Sequence, residues 1–163
     1  MKTLKLVAVI CLFVATFIGC QKENTVADPD GTITLNMRNV GNGGTGLDFY
    51  LSDETHMGWI RIDAGNNFHQ PGEYSNNYYS KIDFARVDAN CLGDVTTIPS
   101  SGWTSLIAVN PGDGYVVRVK GKDGTILEGK SLYCRLYVTS WITAAGTNGI
   151  IGAEVKYQYP MPN

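Results

Sequence analysis

Apolar and polar residues alternate along much of this chain after residue 31, and this alternation restricts it to strand-rich folds. The cleanest run lies near the C-terminus, where Ala153, Val155, Tyr157 and Tyr159 occupy every second position between polar residues. Successive side chains of a β-strand point to opposite faces, so the pattern predicts a strand with one buried face. Similar runs, such as residues 132–139, predict about eight strands in total.

Turn-forming sequences separate the alternating runs. Asn110 to Gly114 combines proline and glycine, and Gly121 to Gly124 carries the Asp-Gly pair of tight hairpins. Residues 64–80 and 88–102 lack periodicity and are predicted loops, while 140–145 could form one helical turn. Antiparallel strands joined by hairpins predict an all-β fold, an antiparallel β-sandwich of about eight strands, with a β-barrel as the alternative.

Length and charge limit the functions that the chain can have. Its 163 residues suit one domain with its own core. The chain carries 13 Lys and Arg against 15 Asp and Glu, a net charge of −2. Nucleic-acid binding needs a basic face, so we expect no nucleic acid among its partners.

The first twenty residues carry a targeting signal. Lys2 and Lys5 precede an apolar run from Leu6 to Ile18, and Gly19 stands directly before Cys20. The run has the length of a signal core, about 7–15 residues, and is shorter than the roughly 20 residues of a membrane-spanning helix. The arrangement resembles a bacterial lipoprotein signal that is cut before the cysteine. The alternative is an ordinary secretory signal in which that cysteine has no special role.

The lipoprotein resemblance implies that Cys20 begins the mature chain and carries a diacylglycerol, usually with a third acyl chain. Two or more chains anchor a protein stably, so we predict a cell-envelope, outer-membrane lipoprotein. The following Gln21–Glu23 loosely resembles the tags that send some Bacteroidetes lipoproteins to the cell surface. The predicted domains are a signal peptide at 1–19, a flexible tether at 20–31 and a single β-sandwich domain at 32–163.

Beyond Cys20, the mature chain contains two cysteines, Cys91 and Cys134. An oxidising compartment permits a disulfide between them, and closing that loop would contribute roughly 4 kcal/mol of stability in the chain-entropy model. Two separate buried thiols, which pack as small hydrophobes, are the alternative. Spacing alone does not decide between the two, because it cannot place the cysteines within bonding distance.

Three segments of the C-terminal half contain a turn, paired strands and a terminal strand. They are Gly112–Arg118, Arg135–Val138 and Gly149–Pro160. These segments resemble a group of small Bacteroides-type lipoproteins classed as a domain of unknown function. The resemblance implies an envelope location and brings no established active site, so no catalytic residue is carried over.

The sequence contains no convincing catalytic or metal motif. The string from Asp28 to Gly31 matches only the opening of a calcium loop, and His56 and His69, placed in predicted loops, are too few for a zinc site. Cys91 would need a histidine folded beside it to act as a nucleophile. We therefore predict a non-enzymatic protein without metal or cofactor. A small hydrolase with paired carboxylates is a less favoured alternative.

Aromatic residues and arginines that share a predicted strand face are the candidate binding residues. Trp59 and Arg61 share one face, and Tyr133, Arg135 and Tyr137 share another. Aromatic planes beside hydrogen-bonding groups suit sugar rings, and protein interfaces concentrate the same residue types. Cross-strand pairs of these residues also stabilise sheets without any ligand.

These patterns together predict a lipid-anchored envelope protein that acts as a binding module, with a glycan as the candidate ligand. The alternative is a structural or interaction subunit of an envelope assembly, whose partner would be another envelope protein. In either case we expect contact with the membrane through the N-terminal lipid.

Overall fold

The computed structural model of the chain describes residues 32–36, 46–50, 56–71, 80–121, 123–126 and 132–161. The predicted signal peptide, the tether and Cys20 lie outside these residues. The described part contains nine strands, which are β1 (Thr32–Asn36), β2 (Leu47–Tyr50), β3 (His56–Ile62), β4 (Asn67–His69), β5 (Ser80–Val87), β6 (Leu106–Ala108), β7 (Gly114–Gly121), β8 (Tyr133–Thr143) and β9 (Ile150–Gln158).

The strands form two antiparallel sheets. One has five strands in the order β1-β9-β8-β7-β5, and the other has four in the order β2-β3-β4-β6. The two sheets do not close into a barrel. The prediction of an all-β sandwich is therefore confirmed, and the barrel alternative is wrong.

The core lies between the two sheets and is built by the alternation seen in the sequence. Along β8, Cys134, Leu136 and Val138 point inward and are at most 1 % exposed. From the other sheet, Phe68 stacks on Phe84 of β5 with ring centroids 5.9 Å apart. Slipping a strand by one residue would turn its buried face toward solvent, so the apolar pattern fixes the register of the sheets.

Two local predictions are wrong. The predicted loop at 64–80 contains β4, a strand of three residues whose single inward side chain is Phe68. The predicted helical turn at 140–145 is instead the end of β8, where Trp141 pairs with Ala153 and Ile142 pairs with Gly152 of β9. Pairing with a neighbouring strand overrides the local sequence there, and two register shifts in this ladder obscure its alternation.

Residues 88–104 lie across the outer face of the five-stranded sheet. The prediction of a loop over 88–102 is confirmed, with one short 3-10 turn at Leu92–Asp94. Val95 packs with Val116 and Met161 in a second apolar cluster, and Trp103 packs against it. This part of the sheet is therefore covered on both faces.

The outer edge of β5 is capped by groups from elsewhere in the chain. Phe84 and Thr104 exchange two backbone hydrogen bonds, of 2.8 and 2.9 Å. Two residues earlier in the strand, the amide of Ile82 donates to the side-chain oxygen of Gln70 at 3.1 Å. After Thr104 the chain enters β6, which lies at an edge of the four-stranded sheet, so the same segment joins the two sheets.

Candidate binding surface

The structure brings Trp59 and Arg61 together on the outer face of the four-stranded sheet. Ile60 and Ile62 of the same strand are fully buried, so the alternation of β3 turns Trp59 and Arg61 away from the core. The guanidinium carbon of Arg61 lies 5.6 Å from the centroid of the Trp59 ring. That distance is within the range of a cation–π interaction.

His69 extends this pair across the sheet. It lies opposite Arg61 in the β3–β4 ladder, and its Nε2 accepts a hydrogen bond from Arg61 Nε at 3.2 Å. Because Nε2 is the acceptor, the proton of the neutral imidazole lies on Nδ1. Leu106 of β6 pairs with His69 and is 50 % exposed. We call Trp59, Arg61, His69 and Leu106 the Trp59 surface.

Gly46 sets the position of the indole ring. A Cβ atom added at this residue would collide with the six-membered ring of Trp59 and lie 2.8 Å from the carbonyl oxygen of Ile60. Any side chain at residue 46 would therefore displace the ring. The sequence places Gly46 in a glycine-rich stretch, and nothing in that stretch indicates that this glycine serves Trp59.

The electrostatic state of His69 follows from the same contacts. Its pKa lies below the ordinary value of 6.5, chiefly because burial disfavours the imidazolium and also because the positive charge of Arg61 repels it, while Asp63 opposes the shift. A lowered histidine pKa favours the neutral ring, which is the form that accepts the bond from Arg61. As the pH falls below 6.5, the unfolded chain takes up a proton at His69 more readily than the folded protein does. The contribution of His69 to the free energy of unfolding is therefore greatest above pH 6.5 and is lost as the pH falls through the pKa of folded His69.

Replacing Arg61 with glutamine is expected to raise the pKa of His69. Removing the positive charge takes away one of the two causes of the shift, and burial keeps the pKa below its ordinary value. An NMR pH titration of the histidine ring protons would measure the change. Arg86→Gln is the matched control, because Arg86 pairs with Asp113 elsewhere in the molecule. An unchanged or lower pKa in the Arg61 variant would contradict the assignment.

In the second predicted group, Arg135 is not accessible to a ligand. Tyr133, Arg135 and Tyr137 share the outer face of β8, but Arg135 is 2 % exposed. Its Nε and Nη2 both donate to the side-chain oxygen of Gln158, the former at 2.7 Å, and its Nη1 donates to the carbonyl of Val95 at 3.3 Å. Arg135 thus links β8 to β9 and to the covering segment. The predicted binding residues are split between opposite sides of the sandwich.

The structure does not join Cys91 to Cys134, which overturns the bridge that the sequence left open. Cys134 is a thiol, 1 % exposed, and lies 3.5 Å from the carbonyl oxygen of Arg135. Cys91 is disulfide-bonded, and its partner lies outside the described residues. Cys134 faces the core between the sheets, whereas Cys91 begins the short turn in the segment that covers the outer face. The five-stranded sheet therefore separates the two sulfur atoms.

The structure places both histidines in strands and three acids around one cleft. His56 and His69 belong to β3 and β4 rather than to loops, so that part of the prediction is wrong. A cleft of about 470 Å³ is lined partly by Asp88, Asp94 and Asp113. Asp113 is bound by Arg86, and Asp94 accepts the amide of Asn90 at 3.1 Å. These bonds give two of the three acids a structural role.

Metal sites, membrane-spanning helices and similarity to known proteins were also considered for the described residues and for the chain. None of their clusters of histidine, cysteine, aspartate or glutamate has three members that could hold a metal ion. No helix within this part of the chain has the length and apolar character needed to cross a bilayer. Comparison of the chain with protein-family models, with curated proteins and with solved structures finds no match.

Proposed function

We propose that this protein is a lipid-anchored component of the bacterial cell envelope that binds a ligand through the Trp59 surface. The ligand class that fits best is a glycan, and no chemical step is assigned to the protein. Support for the anchor comes from the signal-like sequence that ends at Cys20. The segments that resemble small Bacteroides-type lipoproteins support the same location.

The observation that carries the binding proposal is the arrangement of Trp59, Arg61 and His69 on one sheet face. An indole offers a flat apolar area for the C–H groups of a sugar ring. The guanidinium carbon of Arg61 lies 5.6 Å from that ring centre, so the arginine donors stand beside the indole, and His69 orients them by accepting the Nε–H of Arg61. Apolar area beside a few fixed donors is the usual composition of a small-ligand site.

A second candidate function uses the same surface for another envelope protein. The exposure of Leu106, at 50 %, favours it, because an apolar side chain beside tryptophan and arginine also suits the centre of a protein interface. In that case the protein would be an interaction subunit of a larger assembly. A sugar and a protein partner differ in size, so a binding screen separates them.

A glycan-array screen of the purified mature protein tests the proposal. We expect binding to at least one glycan class, and a loss of about tenfold or more in affinity for Trp59→Ala, because the stacking area is removed. Gly46→Ala keeps every binding group but displaces the ring, so it should show a similar loss. Arg86→Gln, remote from the surface, should bind like the wild type.

Circular dichroism and thermal unfolding of each variant would show that the fold is kept. If the wild type binds no glycan but captures an envelope protein in a manner sensitive to Trp59→Ala, the second candidate function replaces the first. If neither kind of binding depends on Trp59, the surface has no binding role.

A further inference from the structure

A cluster of charged residues lies on the outer face of the five-stranded sheet, on the opposite side of the sandwich from the Trp59 surface. One carboxylate oxygen of Asp83 accepts hydrogen bonds from Arg118 at 2.9 Å and from Lys120 at 2.8 Å. Lys81 lies directly opposite Lys120 in the β5–β7 ladder, and its side chain is exposed. We call Asp83, Arg118, Lys120 and Lys81 the Asp83 cluster.

The Asp83 cluster holds more positive than negative charge. Arg118 and Lys120 bind the Asp83 carboxylate, while Lys81 lies two residues away on the same strand face. The pKa of that carboxyl lies below its ordinary value: burial raises it, but the bonds from Lys120 and Arg118 outweigh burial. Asp123, the other nearby acid among the described residues, interacts with Lys81. The four residues therefore carry a net charge of +2, which falls to +1 when Asp123 is counted. Like charges placed opposite each other across strands are destabilising, so the lysine pair has an energetic cost.

Arg118 is held in place by contacts that leave one of its donors unused. Its guanidinium carbon lies 4.1 Å from the centroid of the Trp103 ring, and Trp103 is itself fixed by a hydrogen bond from its Nε1 to the carbonyl of Pro99 at 3.0 Å. Its Nε is buried and has no hydrogen-bond partner in the described part of the structure. The side chains of Arg118 and Lys120 are 13 % and 17 % exposed, so solvent still reaches the cluster.

We propose that Lys120, Lys81 and Arg118 form a binding site for an oxyanion group carried by a ligand, namely a sulfate, a phosphate or a carboxylate. Such a group would balance the excess positive charge, relieve the repulsion between the two lysines and accept charge-assisted hydrogen bonds from their ammonium groups. Trp103 holds the arginine in place before the ligand arrives, which lowers the cost of binding. The site does not depend on the Trp59 surface.

Thermal unfolding of the mature protein in detergent micelles tests this site, with sodium sulfate compared against sodium chloride at matched ionic strength. A ligand that binds only the folded state raises the unfolding midpoint, and we expect a rise of about 2–4 °C. Lys120→Gln should lose most of this rise. Arg86→Gln removes a cation that pairs outside the cluster and should keep the full rise. Asp83→Asn removes the competing carboxylate and should enlarge it.

The Asp83→Asn variant discriminates best between the two interpretations. If the cluster is purely structural, removing the carboxylate should not increase the rise of the unfolding midpoint in sulfate. Equal sulfate responses in the wild type, Lys120→Gln and Asp83→Asn would reduce the effect to general salt stabilisation and overturn the proposal. A second experiment distinguishes a lipid headgroup from a soluble ligand as the source of the oxyanion group. The unlipidated Cys20→Ser chain is mixed with vesicles of phosphatidylglycerol, which carry an anionic phosphate, or with vesicles of phosphatidylcholine. Binding to the phosphatidylglycerol vesicles alone, weakened by added sulfate, assigns the site to a lipid phosphate. Binding to neither, with the sulfate response kept, assigns it to a soluble ligand.

Discussion

Gln158→Leu is expected to lower the free energy of unfolding by about 3 kcal/mol or more. Gln158 accepts two hydrogen bonds from the Arg135 guanidinium, and both residues are buried. A hydrogen bond to a charged group contributes roughly 1.5–3 kcal/mol, and a buried charge that loses two of its hydrogen bonds is destabilising because water does not replace them. Leucine has a similar size to glutamine, so the loss should come from the bonds rather than from a cavity.

Urea unfolding of the variant, followed by tryptophan fluorescence, measures this loss. Glu154→Gln is the matched control, because Glu154 lies on the same strand and its side chain is exposed. We expect that control to stay within about 0.5 kcal/mol of the wild type. The double variant Arg135→Met with Gln158→Leu removes the buried charge together with its acceptor. It should therefore be more stable than Gln158→Leu alone; equal or lower stability would contradict this account.

Cys20→Ser is expected to abolish lipid attachment and to release the protein from the membrane fraction. Lipidation needs the cysteine sulfur, and the remaining tether and domain offer no other acylation signal in the sequence. Stable anchoring takes two or more acyl chains, so losing them should move essentially all of the protein into the soluble fraction. Labelling of cells with radioactive palmitate, followed by fractionation, measures both effects. Cys91→Ser should keep the label, whereas a labelled Cys20→Ser protein would refute acylation at this residue.

A thiol count tests the anchor in a second way. Cleavage before Cys20 leaves three cysteines, and Cys134 is a thiol. A disulfide at Cys91 within the mature chain would therefore need the sulfur of Cys20, which lipidation uses for a thioether. Lipidation at Cys20 therefore predicts two alkylatable thiols, from Cys91 and Cys134, in the denatured, unreduced mature protein, whereas the disulfide that the structure places at Cys91 predicts one. A single thiol in a monomeric chain would support the disulfide instead, and with it an ordinary secretory signal.

The fold was predictable where alternation was long and uninterrupted. β8 and β9 follow from their period of two, because each buries one face over many residues. β4 could not be found in this way, since Asn67–His69 is too short to show a period. The end of β8 looked like a helical turn because its ladder with β9 shifts register near Ser140. The secondary structure of such segments depends on the strands with which they pair, and a local window of sequence does not show those strands.

The candidate site was predictable only in part, for a similar reason. Trp59 and Arg61 are two residues apart, so the strand period alone places them on one face. His69 joins them through the register of a strand that the sequence did not reveal. Arg135 has the same sequence signature as Arg61 but is buried, because residues 88–104, which have no periodicity, fold over it. Exposure of an outward residue therefore depends on which loops cross the sheet.

The capped edge of β5 has a consequence for the membrane anchoring that we propose. Copies confined to one lipid leaflet meet far more often than free ones, and a bare strand edge would act as a template on which they could stack into fibrils. At β5 the outward amides of Ile82 and Phe84 already bind Gln70 and Thr104. A neighbouring copy of the protein therefore cannot pair with these two amides of β5.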